Sequence, residues 1–164
     1  EVTEEVFGMF RTRLEDCGVE ALMRIDPAMP AFLGSRLEMR QVLLHLVENA
    51  IDAMPDGGKL TVEGRVRAVE GGSEETLFGD GTDGSTGKVV EIRVCDTGEV
   101  IPEAVRGDIF QPFFTTREVG KGKGLGLAVC RSLVETRQGR IELEKSLPGN
   151  TCFRILLPFE KVPA

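Results

Sequence analysis

The sequence lacks the features of membrane, secreted and nucleic-acid-binding proteins. No hydrophobic run approaches the ~18 residues needed to cross a membrane, and no signal peptide opens the chain. The net charge of −7 disfavours broad binding to nucleic-acid phosphates. The four cysteines are scattered without a CxxC pair, so neither a zinc site nor a disulfide framework is indicated. We therefore expect reduced thiols in a cytoplasmic protein.

What is present suits one soluble globular domain. The chain has 164 residues, 41% hydrophobic and 29% charged, enough for a sizeable core. It begins with Glu1 rather than Met, so we expect a fragment of a longer protein, in which a membrane anchor could lie elsewhere.

The most informative stretch is QVLLHLVENAIDAM, residues 41–54, which is predicted to be a helix. At ~100° per residue its polar side chains share one arc, whereas apolar residues cover most of the remaining surface. Such a helix is buried on several sides, and burying an unpaired polar group costs about 1–3 kcal/mol. The polar stripe therefore faces a wet cavity or a polar ligand, unless it is only a solvated edge. Its members are Gln41, His45, Glu48, Asn49 and Asp52.

Periodicity and turn signals predict the order helix–strand–helix–strand–strand–loop–helix–strand–strand. This order favours an α+β two-layer sandwich, with helices on one face of a mixed, mostly antiparallel sheet, and it lacks regular βαβ alternation. Helices are expected at 2–15, from an N-cap at Ser35 through Met54, as a short helix at 102–108, and from Gly124 or Leu125 to about Arg137. Strands are expected at 19–26, 59–69 and 89–95, followed by a terminal pair of strands joined at LPGN.

Residues 70–87 are rich in Gly, Ser, Thr and Asp and are predicted to be a flexible insertion between two strands. Their acidic side chains could indicate a calcium-binding site. The segment lacks the Glu that closes an EF-hand loop, which favours a solvated loop.

Alternating glycines in GKGKGLGL precede the last predicted helix. Glycines free the backbone to present N–H groups, and a helix N-terminus follows, so the pattern predicts a phosphate cradle to which Lys121 and Lys123 add positive charge. A flexible lid or linker is the alternative. Walker, GxGxxG and protein-kinase signatures are absent.

Asp96 follows a predicted central strand and is succeeded by Thr97 and Gly98. A carboxylate there can accept a hydrogen bond from an exocyclic amine such as that of adenine, and Gly98 would let a flat ring approach the backbone. Taken alone, this short motif is more simply explained as an ordinary turn after a strand.

On the polar stripe, the carbonyl oxygen of Asn49 can ligate Mg²⁺, whose other ligands at nucleotide sites are phosphates and water. His45, the one histidine in the chain, either contacts a phosphate or is a packed polar residue.

Taken together and in order, these stretches resemble one family. The helix 41–54 resembles the N box, VCDTGEVIP the first glycine box, IFQPFFTTR the F box, GKGKGLGLAVC the second glycine box, and GNTCFRILLP the closing strand. They are similar to the ATP-binding catalytic domain of bacterial sensor histidine kinases, in the style of the nitrogen-regulation kinases. The resemblance spans about residues 20–158 and implies the Bergerat ATP-binding fold.

The resemblance also implies roles. Asn49 would coordinate Mg²⁺, Asp96 would bind the adenine amine with help from Thr151, and Arg117 would reach the γ-phosphate as a second catalytic residue. Phe110, Phe113 and Phe114 would anchor a mobile lid over about 111–123. The implied nucleotide contacts are His45, Asn49, Asp96, Gly98, Thr116, Lys121, Gly122, Lys123, Gly124, Leu125, Gly126 and Thr151.

Two positions depart from the family pattern. Val100 stands where the family has a glycine, and a β-branched residue does not readily take φ > 0. Either this position is extended or the lid hinge is stiffened. His45 stands where the family has Asn and related ATPases have a base Glu, so efficient hydrolysis is not expected.

The resemblance divides the chain into an N-terminal helix, 1–18, which would join a missing dimerisation domain, and an ATP-binding domain, 19–164. Phosphoryl transfer would go to a histidine on that separate domain, and from there to a response regulator. The isolated domain is expected to be monomeric. Two alternatives are a degenerate nucleotide-sensing or interaction module and an anti-sigma-type serine kinase of the same fold.

Overall fold

The computed structural model describes residues 1–27, 29, 35–68, 88–115 and 124–158. The predicted insertion 70–87 and residues 116–123 of the predicted lid lie outside these ranges. Within them, no helix is long and apolar enough to span a membrane. A 3-10 turn forms at Glu103–Val105, inside the predicted short helix. The remaining elements, in chain order, are α1 (Val2–Cys17), β1 (Val19–Ile25), α2 (Arg36–Asp52), β2 (Gly58–Ala68), β3 (Lys88–Asp96), α3 (Gly126–Thr136), β4 (Arg140–Leu147) and β5 (Asn150–Pro158).

The strands form one mixed sheet in the order β1-β2-β3-β5-β4. The β1–β2 pair is parallel, and the other pairs are antiparallel. Apolar side chains of β2, β3 and β5 join those of the helices in a single core. The predicted α+β class, with a mostly antiparallel sheet under the helices, is confirmed.

Helix α2 is the centre of the helical layer. Ser35 caps it, because its Oγ accepts a hydrogen bond from the Glu38 N–H at 3.4 Å. The predicted apolar surface is buried on several sides, so this helix contacts both the sheet and the other two helices. The buried side chains are Val42, Leu43, Leu46, Val47, Ala50 and Ile51.

Helix α1 runs alongside α2 in the same direction. Arg40 binds Glu5 at 2.8 Å near one end, and Arg13 binds Glu48 at 3.4 Å farther along. Exposed ion pairs contribute little stability, but the order of these two pairs along the chain shows that the helices are parallel. Val6 is fully buried in the common core. The N-terminal helix is therefore packed into the same core as the rest of the domain.

A disulfide links the two central antiparallel strands. Cys95 of β3 lies directly opposite Cys152 of β5, with their Cα atoms 4.1 Å apart. The expectation of reduced thiols was wrong for this pair, although Cys17 and Cys130 are free. The two bonded cysteines are separated by 57 residues, and only the strand register brings them together.

Candidate functional site

Two of the predicted site residues meet at the end of the central strands. Asp96 and Thr151 are partners in the β3–β5 register, and both are buried: Asp96 is 5% exposed and Thr151 is 2% exposed. Side chains alternate between the two faces of a sheet, so this pair shares the helix-covered face with Val94 and Phe153 of the core. The fold thus converts two distant positions in the sequence into one buried polar pair.

Asp96 is a carboxylate in an unfavourable place for a charge. Burial raises its pKa to about 6 from an ordinary 3.8, against the opposing effect of the Gly98 N–H, which donates to Asp96 Oδ1 at 2.9 Å. Above that pH the group is ionised but poorly solvated. An additional donor from a ligand would therefore be bound strongly.

Behind Thr151 lies a hydrogen-bonded support that the sequence did not reveal. The hydroxyl oxygens of Thr151 and Ser146 are 2.8 Å apart, and Ser146 Oγ also accepts the Ile101 N–H at 2.9 Å. Arg106 donates to the carbonyls of Ile101 and Ser146 at 2.9 and 2.7 Å. These contacts hold the segment after β3 against the end of β4. No local motif marks Ser146 or Arg106, since their roles depend on strand pairing.

Gly98 joins the Asp96 turn to the end of α2. A Cβ at this position would lie 2.3 Å from the Ala53 carbonyl oxygen, and the Glu99 N–H donates to that same oxygen at 3.0 Å. The turn thus needs a glycine for its packing against α2, a reason different from the predicted approach of a flat ring.

The polar stripe of α2 is divided between two neighbours. Glu48 and Asp52 both bind Arg13 of α1, so they belong to the helix–helix contact. His45 instead faces α3, where a Cβ at Gly126 would lie 3.2 Å from its Nδ1. Asn49, partly buried, follows His45 by one turn. The structure therefore brings His45 to the first residue of α3.

The start of α3 is shaped by a glycine. Gly124 has φ +65°, and a Cβ there would lie 2.5 Å from the Phe114 carbonyl oxygen, so the chain packs closely against the F-box segment. Leu125 precedes the helix, and no side chain caps it. The first N–H groups of α3 lack intrahelical acceptors and carry partial positive charge, which suits an anion.

Of the three phenylalanines predicted to anchor a lid, two pack into the domain. Phe110 packs edge-to-face on Phe153, with ring centroids 6.1 Å apart, and Phe114 packs against the core. Phe113 is 77% exposed and has φ +65°, so its ring does not share that packing. Phe113 therefore does not join the predicted anchor, since sequence spacing does not specify the backbone conformation at this position.

Val100 and five predicted nucleotide contacts remain to be placed. Among the described non-glycine residues, Phe113 and Gln138 have a positive φ, and Val100 does not. Val100 therefore does not adopt the backbone conformation that favours a glycine at this position. Five predicted contacts lie outside the described residues and stay predictions: Thr116, Arg117, Lys121, Gly122 and Lys123.

Residues 34–161 match the family model described as histidine kinase-, DNA gyrase B-, and HSP90-like ATPase. The sensor kinase CckA of Brucella abortus is 39% identical over 121 residues, which are 74% of this chain and 12% of that protein. The sensory histidine kinase/phosphatase NtrB of Salmonella typhimurium is 33% identical over 161 residues, which are 98% of this chain and 42% of that protein. The chain thus spans less than half of either relative.

Solved structures agree with the fold. The nucleotide-free catalytic domain of histidine kinase ThkA has a TM-score of 0.72 at 25% identity, over 96% of this chain and 89% of that one. Full-length ShkA in complex with AMPPNP has a TM-score of 0.76 at 24% identity, over 99% of this chain and 30% of that one. ThkA in complex with the response regulator protein TrrA has a TM-score of 0.69 at 26% identity, over 96% and 39%.

Proposed function

The chain belongs to the family of histidine kinase-, DNA gyrase B- and HSP90-like ATPases, as an ATP-binding domain of the sensor histidine kinase type, and we propose that it binds MgATP and donates the γ-phosphate to a histidine on a separate dimerisation domain. A response regulator would receive the phosphoryl group from that histidine. Because ATP is the substrate, we place the domain in the cytoplasm.

The observation that carries this proposal is the buried carboxylate of Asp96. It lies opposite Thr151 at the end of the central strands, and its Oδ1 already accepts the Gly98 N–H. A neutral donor such as the adenine amine stabilises the ionised form without bringing a second charge into a buried site. Thr151, held by Ser146, would complete the adenine contact.

The phosphates would extend towards α3 and the polar stripe of α2. The first N–H groups of α3 favour an anion, and His45 lies against Gly126 at that point. Lys121, Lys123 and Arg117 would add the positive charge that phosphoryl transfer requires as charge shifts to the leaving oxygen. Gly122, Gly124, Leu125 and Thr116 would supply the closest backbone and hydroxyl contacts.

The chemistry of the site fits a magnesium ion held jointly with the nucleotide. The described residues contain no group of three or more His, Cys, Asp or Glu side chains that could hold a metal. Asn49 would contribute a single carbonyl oxygen, with phosphate oxygens and water as the other ligands, which is a common arrangement for Mg²⁺. When bound, the ion would offset the negative charge of the phosphates.

The phospho-acceptor must come from another domain. His45 is the only histidine of the chain, and it packs at the first residue of α3 within the site itself. It also occupies the position one turn before Asn49, where a hydrolytic ATPase of this fold would need a carboxylate base. We therefore expect transfer to a partner rather than rapid hydrolysis.

The first test is calorimetric titration of MgATP into the wild type, Asp96→Asn and the control Asp16→Asn, which changes an exposed residue of α1. The wild type and the control should bind, and Asp96→Asn should bind at least about tenfold more weakly, because a charged hydrogen bond is lost. Failure of the wild type to bind at millimolar MgATP would exclude the proposed function.

The second test is phosphoryl transfer from labelled ATP to a purified helical hairpin that carries the acceptor histidine. Acid-labile phosphate should appear on the hairpin only when this domain is present. Acid-stable phosphoserine on a partner would instead favour an anti-sigma-type serine kinase. Binding without transfer to any partner would favour a nucleotide sensor.

A further inference from the structure

The Cys95–Cys152 disulfide lies one residue from the proposed adenine contact. In the β3–β5 register, the bonded pair is followed directly by the pair of Asp96 and Thr151. Successive side chains point to opposite faces of a sheet, so the disulfide is on the outer face and the site pair is on the helix-covered face. The covalent link therefore joins the two strands immediately behind the nucleotide site.

The link constrains the spacing of those strands. The Cα atoms of Cys95 and Cys152 are 4.1 Å apart, whereas the closer type of antiparallel pair has a spacing of about 4.5 Å. Reduction would allow the strands to separate at this point. The relative position of Asp96 and Thr151 would then depend on hydrogen bonds and packing alone.

The structure also accommodates the reduced form of Cys152. Cys152 Sγ lies 3.2 Å from Asn150 Oδ1. A disulfide sulfur has no hydrogen to donate, but the thiol that forms on reduction can donate its S–H to that oxygen. The reduced Cys152 thus has a hydrogen-bond acceptor within reach.

The two sulfurs differ in access. Cys152 is 1% exposed, whereas Cys95 is partly exposed on the outer face. An external thiolate would therefore attack Cys95 Sγ, and Cys152 would leave as the thiolate. Lys145 is the register partner of Cys152, and a neighbouring cation favours a thiolate.

The next pair on the outer face is also cationic. Arg93 lies opposite Arg154, two residues from the cysteines on each strand. Their charges are shared with carboxylates, since Arg93 binds Glu144 at 2.6 Å and Arg154 binds Glu142. Arg93 also binds Glu63, and Arg154 also contacts Glu91, so carboxylates neutralise the charges of both arginines. Lys145 is the cation in register with Cys152.

We propose that Cys95 and Cys152 form a reversible thiol–disulfide site and that the disulfide form binds ATP more tightly because it preorganises the Asp96–Thr151 pair. This inference rests on the proposed function. In cytoplasmic proteins, disulfides are usually transient and redox-sensing rather than structural. The oxidant is a small-molecule or protein disulfide: the two cysteine thiols lose two protons and two electrons to form the bond, and the oxidant becomes two thiols.

The test is MgATP affinity in the two redox states of the same domain. One sample is oxidised with oxidised glutathione and the other reduced with dithiothreitol, and intact mass identifies the disulfide by the loss of two hydrogens. We expect Kd to be about fivefold higher in the reduced form, the lower end of the usual coupling between linked sites. Cys95→Ser should bind like the reduced form under both conditions.

A matched control is Cys130→Ser. Burial raises the pKa of the Cys130 thiol to about 12, so this free cysteine has almost no thiolate and should not affect the redox response. A second control tests access. Both variants also carry Cys17→Ser, because Cys17 is a partly exposed free cysteine. Cys152→Ser should then form a mixed disulfide with labelled glutathione at Cys95, whereas in Cys95→Ser the buried Cys152 should remain unlabelled under native conditions.

The outcomes separate this inference from the proposed function. Equal affinities in the two forms, tighter binding by the reduced form, or free thiols at both Cys95 and Cys152 after oxidation would each overturn the redox inference while leaving the ATP site intact. If neither form binds MgATP, the proposed function fails, and the redox inference fails with it.

Discussion

Replacing Asp96 with Asn should separate the stability of the domain from its function. Asn has nearly the same size as Asp, and its side-chain oxygen can still accept the Gly98 N–H that now binds Asp96 Oδ1 at 2.9 Å. Only the buried negative charge is removed. We therefore expect the nucleotide-free variant to be more stable than the wild type at neutral pH, although it binds ATP more weakly.

The magnitude follows from the pKa of Asp96, which is raised from 3.8 to about 6. At 1.36 kcal/mol for each tenfold change, ionisation of the folded wild type costs at most about 3 kcal/mol. The folded pKa lies above the unfolded one, so the cost of ionisation is absent below 3.8, grows as the pH rises, and is complete above about 6. Asp96→Asn has no such cost, and its advantage should fall to roughly half at pH 5.

The assay is urea unfolding of the nucleotide-free domain at about pH 8 and about pH 5. The wild type, Asp96→Asn and the control Asp16→Asn are compared at both values. Asp16 is exposed, and its substitution should produce no comparable gap. If Asp96→Asn is no more stable than the wild type at pH 8, or if its advantage is unchanged at pH 5, the carboxylate does not carry the assigned cost of burial.

Three further changes should give distinct results. Gly98→Ala should lower the free energy of unfolding by about 2 kcal/mol, because its Cβ would lie 2.3 Å from the Ala53 carbonyl oxygen; urea unfolding measures this. Val100→Gly should leave the Kd for MgATP within about twofold of the wild type, since Val100 lacks a positive φ, and should destabilise a loop by about 0.4–1 kcal/mol. Reducing Cys95–Cys152, which closes a separation of 57 residues, should lower the free energy of unfolding by up to about 4 kcal/mol, seen as a lower Tm.

Each change has a control or a contrary result. Gly107→Ala tests the argument for Gly98, because a Cβ at Gly107 would meet nothing within 4 Å and should cost little. Clearly tighter MgATP binding by Val100→Gly would restore the stiff-hinge interpretation. A Tm that dithiothreitol lowers equally in the wild type and in Cys95→Ser would show that the loss does not come from the disulfide.

Several features of the molecule could be predicted because their causes are local. Helix α2 was predicted from its period, its apolar surface and the Ser35 N-cap, all of which lie within a few residues of one another. Composition changes of the same short range predicted the end of β3 to within one residue of Asp96 and the start of α3, expected at Gly124 or Leu125, to within two residues of Gly126. The family resemblance rested on motif order along the chain, which is likewise a property of the sequence.

Strand register decided what the motifs alone could not. Asp96 and Thr151 become a buried pair, and Cys95 and Cys152 become bonded, only because β3 and β5 align in one register. Ser146 supports Thr151 through the same sheet, with no motif of its own. A shift of one residue would turn each of these side chains to the opposite face.

The sequence by itself therefore determined the helices, the strands and the family, since periodicity, caps and motif order act over short distances. Only the tertiary structure decided the raised pKa of Asp96, the outward position of Phe113 and the disulfide behind the site. Burial, backbone conformation and strand pairing depend on segments that are far apart in the chain. These three properties become visible only when the sheet and its helices are assembled.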